Sequence, residues 1–192
     1  MTTIATAPET ALLAPGSWHV DPAHSSVEFQ VKHLMIATVK GRFTDFTGTL
    51  EALEDGTLRA TGTIQAASID THEPKRDEHL RSADFFEADA YPEITFASTE
   101  IVPAAKGDFR VLGDLTIRGI TKPVELTGGI EGSGRDPWGN DRVALQVRGT
   151  INRSDWGLTW NQALEAGGVL VGDKVKLELE LSTVKPAASA AA

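Results

Sequence analysis

Apolar and polar residues alternate with a period of two along most of this chain. Between residues 27 and 33, Val27, Phe29, Val31 and His33 fall on one side of an extended strand, and polar residues fall on the other. The same alternation returns at the spacing of antiparallel hairpins, with turn residues between the runs. A sheet patterned in this way must bury one face, so we predict an all-β fold.

The alternating runs number about eight, which suits one barrel or sandwich domain in a chain of 192 residues. No shift of composition divides the chain, so we expect one domain. The predicted strands cover residues 26–33, 39–51, 57–66, 93–101, 109–118, 124–131, 142–151 and 174–182.

One segment, residues 71–81, breaks the β pattern. It is charged, rich in helix formers, and carries Pro74 in an early position that helices tolerate. We predict a short helix here, anchored to neighbouring loops by Arg76, Asp77 and His79. The aromatic pair Phe85 and Phe86 follows, and we expect it to seal one side or end of the β structure.

The two ends of the chain differ from its middle. Residues 1–16 have neither the basic start nor the apolar core of a signal peptide, so we expect a flexible segment and a cytoplasmic protein. The single domain then covers residues 17–184, and residues 185–192 are expected to be a disordered tail. No apolar run approaches the roughly 20 residues that a membrane-crossing helix needs.

Composition excludes several classes of function. The chain has no cysteine, which removes thiol catalysis and thiolate metal sites. Its formal net charge is −9 and it has no basic run, which argues against a nucleic-acid or anionic-membrane surface. A neutral or apolar partner fits this composition better.

Small residues stand on several apolar faces where a filled core favours larger ones: Ala60, Gly62, Gly113, Gly128 and Gly149. One explanation is geometric, because small residues permit the sharp coiling that barrel closure requires. The other is functional, because an eight-stranded barrel is wide enough to hold one small ligand. The residues alone leave both explanations open.

The roles of several histidines and tryptophans also have more than one explanation. His72 and His79 would lie about 10 Å apart along a helix, too far to share one metal ion. His33 shares the face of Phe29, so it is either a satisfied buried histidine or a contact to a ligand headgroup. Trp156 and Trp160 suit either a tunnel wall or ordinary core packing.

A set of motifs resembles the YceI-like family of polyisoprenoid-binding proteins, in the same order from about Ser17 to about Val184. The matching segments are 18–33, 39–43, 46–48, 68–71, 76–80, 84–86, 91–96, 113–121, 152–158 and 172–175. The resemblance implies an extended eight-stranded antiparallel lipocalin-like barrel, with the short helix packed near one side or end. It also implies a carrier that encloses a polyisoprenoid or similar long-chain amphiphilic lipid, with an isoprenoid quinone as one candidate.

The resemblance brings no catalytic residue or metal ligand, and no cofactor is expected beyond the bound lipid. It also implies a homodimer. Release of the lipid would require a movable element, either residues 34–38 or the helix around Arg76. Two alternatives stay open: a metal-dependent barrel enzyme acting on a small hydrophobic substrate, and a structural or interaction barrel with a filled core. The expected ligand contacts are Phe29, Val31, His33, Phe43, Leu58, Ala60, Ile64, Phe96, Val111, Leu115, Ile117, Leu126, Trp156 and Trp160.

Overall fold

The computed structural model describes residues 12–165 and 167–187. The predicted N-terminal segment and C-terminal tail therefore lie largely outside the described residues. The elements are β1 (Gly16–Val20), β2 (Ser26–His33), β3 (Ala37–Phe43), β4 (Phe46–Ala52), β5 (Leu58–Gln65), β6 (Ile69–Asp70), α1 (Pro74–Arg81), β7 (Glu93–Pro103), β8 (Asp108–Ile117), β9 (Ile120–Arg135), β10 (Asp141–Asn152) and β11 (Val171–Lys185).

Strand pairing closes the sheet into a ring. The order β1-β4-β5-β7-β8-β9-β10-β11 is completed by pairing of β11 with β1, and the pairings around the ring are antiparallel. β1 and β2 lie one after the other along β11, and β3 and β4 lie one after the other beside them. With β1 and β2 counted as one bent strand, and β3 and β4 as another, the barrel has eight strands. This confirms the predicted closed antiparallel barrel.

Two bends divide strands that the alternation alone would leave continuous. At the first, the side chain of Asp21 accepts a hydrogen bond from the N–H of Ala23 at 3.1 Å, and a short 3₁₀ turn begins at Pro22. At the second, the predicted strand 39–51 breaks between β3 and β4. The N–H of Thr44 there donates to the carbonyl of Ser68, and the carbonyl of Asp45 accepts from Gln65. These hydrogen bonds tie the corner between β3 and β4 to the end of β5 and the turn that follows it, so the chain bends here and β3 and β4 pair with different strands.

The predicted helix is present, and Pro74 is its first residue because Glu73 caps it with bonds to two backbone N–H groups. Asp77 is buried and accepts bonds from the N–H and hydroxyl of Thr71. The Arg76 guanidinium donates to the same threonine. His79 bonds to Asp84 at 2.8 Å. These bonds confirm that Arg76, Asp77 and His79 anchor the segment.

The buried core has two parts, one toward each end of the barrel. We call the end where α1 packs the helix end; its cluster includes Phe43, Phe46, Ile69, Phe85, Ile94, Ile117 and Trp156. We call the other end the N-terminal end, because the chain enters the barrel there; its cluster includes Leu13, Trp18, Phe109, Val111, Leu126, Leu145 and Val147. The space between the two clusters is the candidate site.

Candidate functional site

An apolar cavity of about 310 Å³ runs through the barrel between the two clusters. Leu12, Leu13 and Leu58 contribute to its wall at the N-terminal end, and Phe85 and Phe86 at the helix end. The volume falls within the range of about 300–1,000 Å³ that is usual for ligand pockets. The expected seal by Phe85 and Phe86 is therefore part of the cavity wall itself.

The cavity is long for its volume. Its lining includes residues from Val171 to Thr183 on β11. At about 3.3 Å per residue and a barrel tilt of about 40°, this stretch covers roughly 30 Å along the barrel axis. A small volume spread over this length is the shape of an extended chain rather than of a compact ring system.

Most of the residues expected to contact a ligand lie on this wall. They come from separate strands of the barrel, and the alternating pattern points them inward. Their contact with a ligand stays a prediction. The lining includes Phe29, Val31, Phe43, Leu58, Ala60, Ile64, Phe96, Val111, Leu115, Ile117 and Leu126.

Three expected contacts lie away from the lining. His33 ends β2 opposite Val171, one inward position beyond Val31. Trp156 is buried in the helix-end cluster, where its indole N–H donates to the carbonyl of Leu115 at 3.0 Å. The Trp160 ring packs beside α1, with ring centroids 4.7 Å from His79 and 5.3 Å from Phe85. The structure thus places both tryptophans in packing positions behind the cavity wall.

The small residues on the apolar faces divide into two groups. A Cβ atom at Gly113 would lie 2.4 Å from Cζ of Phe96 and 2.7 Å from the carbonyl oxygen of Ala97, and one at Gly128 would lie 2.7 Å from the ring of Phe109. These glycines let aromatic rings lie close against the barrel wall. Gly62, in contrast, lines the cavity with only Thr47 O near its Cβ position, at 3.6 Å. Close packing of aromatic rings thus accounts for Gly113 and Gly128, whereas Gly62 fits the explanation that small residues leave space for a ligand.

Arg153 is a lining residue that the sequence pattern missed. Its side chain is largely buried, with 7% of the residue exposed, and its guanidinium donates to the carbonyls of Gly172, Leu158, Trp160 and Val171. Burial lowers the pKa of Arg153, and the charge of nearby Asp173 partly opposes this. A guanidinium thus stands at the helix end of the cavity, held by carbonyl oxygens.

Arg153 shares the lining with one other charged residue, Glu28. Glu28 alternates with the inward-facing Val27 and Phe29, so its carboxylate lies on the outer face of β2. Arg153 therefore supplies the charged side chain of the cavity lining that the structure describes. The one sequence feature that could have indicated Arg153 is its position directly after the end of β10, two residues beyond the inward-facing Ile151.

Other lining residues were also outside the expected contacts. Phe46, Phe109 and Leu145 lie on inward faces that the alternation predicts, and they extend the wall. Leu12 and Leu13 come from the segment expected to be flexible, yet Leu13 is buried beside Trp18. The indole N–H of Trp18 donates to the carbonyl of Ala14 at 3.0 Å and holds this segment across the barrel end.

Within residues 12–165 and 167–187, no group of three or more His, Asp or Glu side chains is placed to hold a metal ion. The helix in this part of the chain is also too short and too polar to cross a membrane. The site that the described residues form is thus the apolar cavity with Arg153 at one end.

The sequence model of the YceI-like domain matches residues 18–183. The chain belongs to the YceI-like family. A curated relative in this family, a UPF0312 protein of Staphylococcus aureus strain MSSA476, is 44% identical over 161 residues, which cover 82% of this chain and 91% of the relative. Residues 18–183, which match the family model, include both the cavity-lining strands β2 to β10 and the helix.

Solved structures share the fold of this YceI-like chain. BcnA of Burkholderia cenocepacia has 25% identity and a TM-score of 0.74, with 85% of this chain and 98% of that chain covered. A YceI protein of Campylobacter jejuni has 28% identity and a TM-score of 0.69, with 81% and 90% covered. A polyisoprenoid-binding domain of Saccharophagus degradans, at 17% identity and a TM-score of 0.66, shares the fold over 88% of this chain and 98% of its own length.

Proposed function

We propose that this protein binds a polyisoprenoid or similar long-chain amphiphilic lipid in the barrel cavity and carries it without chemical change. The observation that supports this most directly is the cavity: it is long, narrow and lined almost wholly by apolar side chains. An extended hydrocarbon chain matches both its shape and its chemistry. An isoprenoid quinone is one member of this class.

Membership in the YceI-like family supports the same proposal. The Saccharophagus degradans domain is described as polyisoprenoid-binding, and its fold is shared by this chain. Family and fold therefore agree with a binding role, and the cavity of this chain supplies the space that such a role requires.

The energetics of burial also suit a carrier. At about 0.8 kcal/mol per buried CH₂ group, the roughly 24 carbons of an extended chain that fit within roughly 30 Å would gain about 19 kcal/mol on leaving water. Measured affinities saturate near about 18–21 kcal/mol, because ordering a flexible chain and losing its freedom offset much of this gain. Burial of the hydrocarbon chain is thus sufficient for tight binding.

The two other functions have less support in the described residues. An enzyme would need reactive groups along the cavity, and the charged side chain that faces it, Arg153, is engaged by four carbonyl groups. A purely structural barrel would have its interior filled by side chains, whereas a cavity remains here. A cytoplasmic location and a homodimer stay predictions.

Organic extraction of the purified native protein followed by mass spectrometry tests the proposal. We expect a long-chain isoprenoid lipid at up to one molecule per chain. Ala60→Phe, which projects a ring into the cavity, should reduce lipid occupancy at least several-fold. Ala97→Phe is the matched control, because Ala97 is exposed on the outer face of β7. Protein that is empty after growth in its own source, or equal occupancy in both variants, would contradict the proposal.

A further inference from the structure

Three consecutive apolar side chains project into solvent from the hairpin between β2 and β3. Leu34 is 36% exposed, Met35 59% and Ile36 79%; we call these three residues the apolar tip. A run of this kind on the surface of a folded chain calls for a functional explanation, because it costs solubility without adding to the core.

The backbone holds the apolar tip outward. Leu34 and Met35 have φ values of 53° and 60°, in the left-handed region that long side chains seldom adopt. The N–H of Ile36 donates to the carbonyl of His33 at 3.2 Å, and the N–H of Leu34 donates to the carbonyl of Leu170 at 2.9 Å. The hairpin is thus tied to the loop before β11, and its side chains are kept from folding back onto the barrel.

Lysines surround the base of the apolar tip. Lys32, Lys40, Lys174 and Lys176 are exposed on β2, β3 and β11, at the ends of these strands nearest the tip. Lys40 and Lys176 both pair in register with Gln30. Among the described residues, none of the four forms an ion pair. Lys32 donates a hydrogen bond to the hydroxyl of Thr38 at 3.0 Å, but the charges of all four lysines lack an acidic partner among these residues and can meet an external anion.

Acidic groups on this face lie farther from the tip or are engaged. Glu28 and Glu178 pair with each other in register one row beyond Lys40 and Lys176, and Glu178 also bonds to Arg148. The carboxylate of Asp173 accepts hydrogen bonds from the N–H and hydroxyl of Ser154. The tip and its lysines thus form a basic apolar surface on an otherwise acidic molecule.

We propose that the apolar tip and these four lysines dock the protein onto an anionic lipid bilayer, with the tip entering the interface and the lysines facing the headgroups. Apolar insertion combined with basic residues is the physical basis of interfacial membrane binding. The net charge of −9 argued against binding to an anionic membrane. However, charges more than about 8–10 Å apart are largely screened at physiological salt, so the charges close to the apolar tip determine its attraction to the bilayer.

This docking site lies at one end of the cavity. His33, directly before the tip, pairs with Val171, and both Val31 and Val171 line the cavity. Docking would bring the helix end of the cavity to the bilayer. The inference goes beyond lipid binding in the barrel and does not depend on it, since vesicle binding and extracted lipid are measured separately.

Site-specific fluorescence tests the proposal, and the absence of cysteine from the chain makes labelling clean. Met35→Cys labelled with an environment-sensitive fluorophore should give a blue-shifted, stronger emission on addition of phosphatidylcholine vesicles containing phosphatidylglycerol. Trp138→Cys is the matched control: Trp138 is 78% exposed in the β9–β10 turn, at the N-terminal end of the barrel. An equal response at both positions, or none at Met35, would overturn the proposal.

A charge variant tests the second half of the site. At about fivefold in affinity per lysine near an anionic surface, Lys32→Gln combined with Lys174→Gln should weaken vesicle binding about 25-fold. Binding that is unchanged by this variant, or equal on pure phosphatidylcholine, would contradict the role of the lysines. A shift at Met35 that depends on protein concentration without vesicles, together with a dimer in analytical ultracentrifugation, would assign the tip to a second copy of the chain and overturn membrane docking.

Discussion

The ring of Phe96 occupies the space that a Cβ atom at Gly113 would need. The two residues lie on the paired strands β7 and β8, and the absence of a side chain at Gly113 allows the ring to lie against the backbone. Phe96 lines the cavity. This close approach therefore determines how far the ring projects into the cavity.

Gly113→Ala should destabilise the barrel by about 1–3 kcal/mol, because the added methyl group overlaps both the ring and the carbonyl of Ala97. Gly62→Ala is the control, since its Cβ would meet its nearest neighbour, Thr47 O, at an ordinary 3.6 Å. Urea unfolding of both variants measures the difference. Equal free energies of unfolding for the two would contradict the packing role of Gly113.

Arg153→Lys should lower the free energy of unfolding by about 2–4 kcal/mol. A lysine keeps the charge but cannot serve four carbonyl groups in two chain segments, and each unpaired buried polar group costs about 1–3 kcal/mol. Arg148→Lys provides the comparison, because Arg148 forms an exposed pair with Glu178, worth at most about 1 kcal/mol. Denaturant unfolding of the two variants distinguishes these cases. If Arg153→Lys lowers the free energy of unfolding no more than Arg148→Lys does, the four hydrogen bonds of Arg153 do not stabilise the fold as proposed.

Stability at acid pH should depend on Asp136. Desolvation opposes its ionisation, but hydrogen bonds from the side chain and backbone of Asn140, from Arg142 and from the N–H of Trp138 outweigh this and lower its pKa to about 2, from 3.8. The contribution of this carboxylate is thus present above pH 4 and is lost as the pH falls from about 4 to 2.

The variant Asp136→Asn removes this titration. Its free energy of unfolding should lie below that of the native protein at pH 6, and the gap should narrow between pH 4 and pH 2. Urea unfolding at a series of pH values measures the gap, and its constancy above pH 5 is the internal control. A gap that stays the same down to pH 2 would show that Asp136 titrates normally in the folded state.

Trp156→Phe should destabilise the helix end by about 1–3 kcal/mol, because the carbonyl of Leu115 loses the indole N–H in a buried environment. Trp138→Phe changes an exposed ring of the same type and should have little effect. Thermal unfolding of both variants provides the test. Lipid occupancy should change little in Trp156→Phe, since Trp156 lies behind the cavity wall.

Local patterns predicted most of the strands and the helix. The alternation along β11 placed Val175, Leu177, Leu179 and Leu181 on one face, and all four line the cavity. Pro74 indicated the first turn of α1. These features depend on residues only a few positions apart, so the sequence carries them directly.

Other features depend on pairs that are distant in the chain. Arg153 is buried because its guanidinium donates to carbonyls of Leu158 and Trp160 in the loop before β11 and of residues 171 and 172 on β11 itself, and no repeat in the sequence signals this. Leu12 and Leu13 reach the cavity because they pack in one cluster with Phe109 and Leu145, which come about 100 residues or more later in the chain. The sequence predicted a flexible segment for Leu12 and Leu13 and gave Arg153 no role.

The sequence by itself thus determined the β class, the inward faces, the helix and the family. Tertiary structure decided that the segments close into eight barrel strands, that the rings of Phe96 and Phe109 pack against glycines, and that a cavity remains between the two core clusters. The reason is physical: a period of two is a property of neighbouring residues, whereas cavity volume depends on how side chains from all the strands pack together.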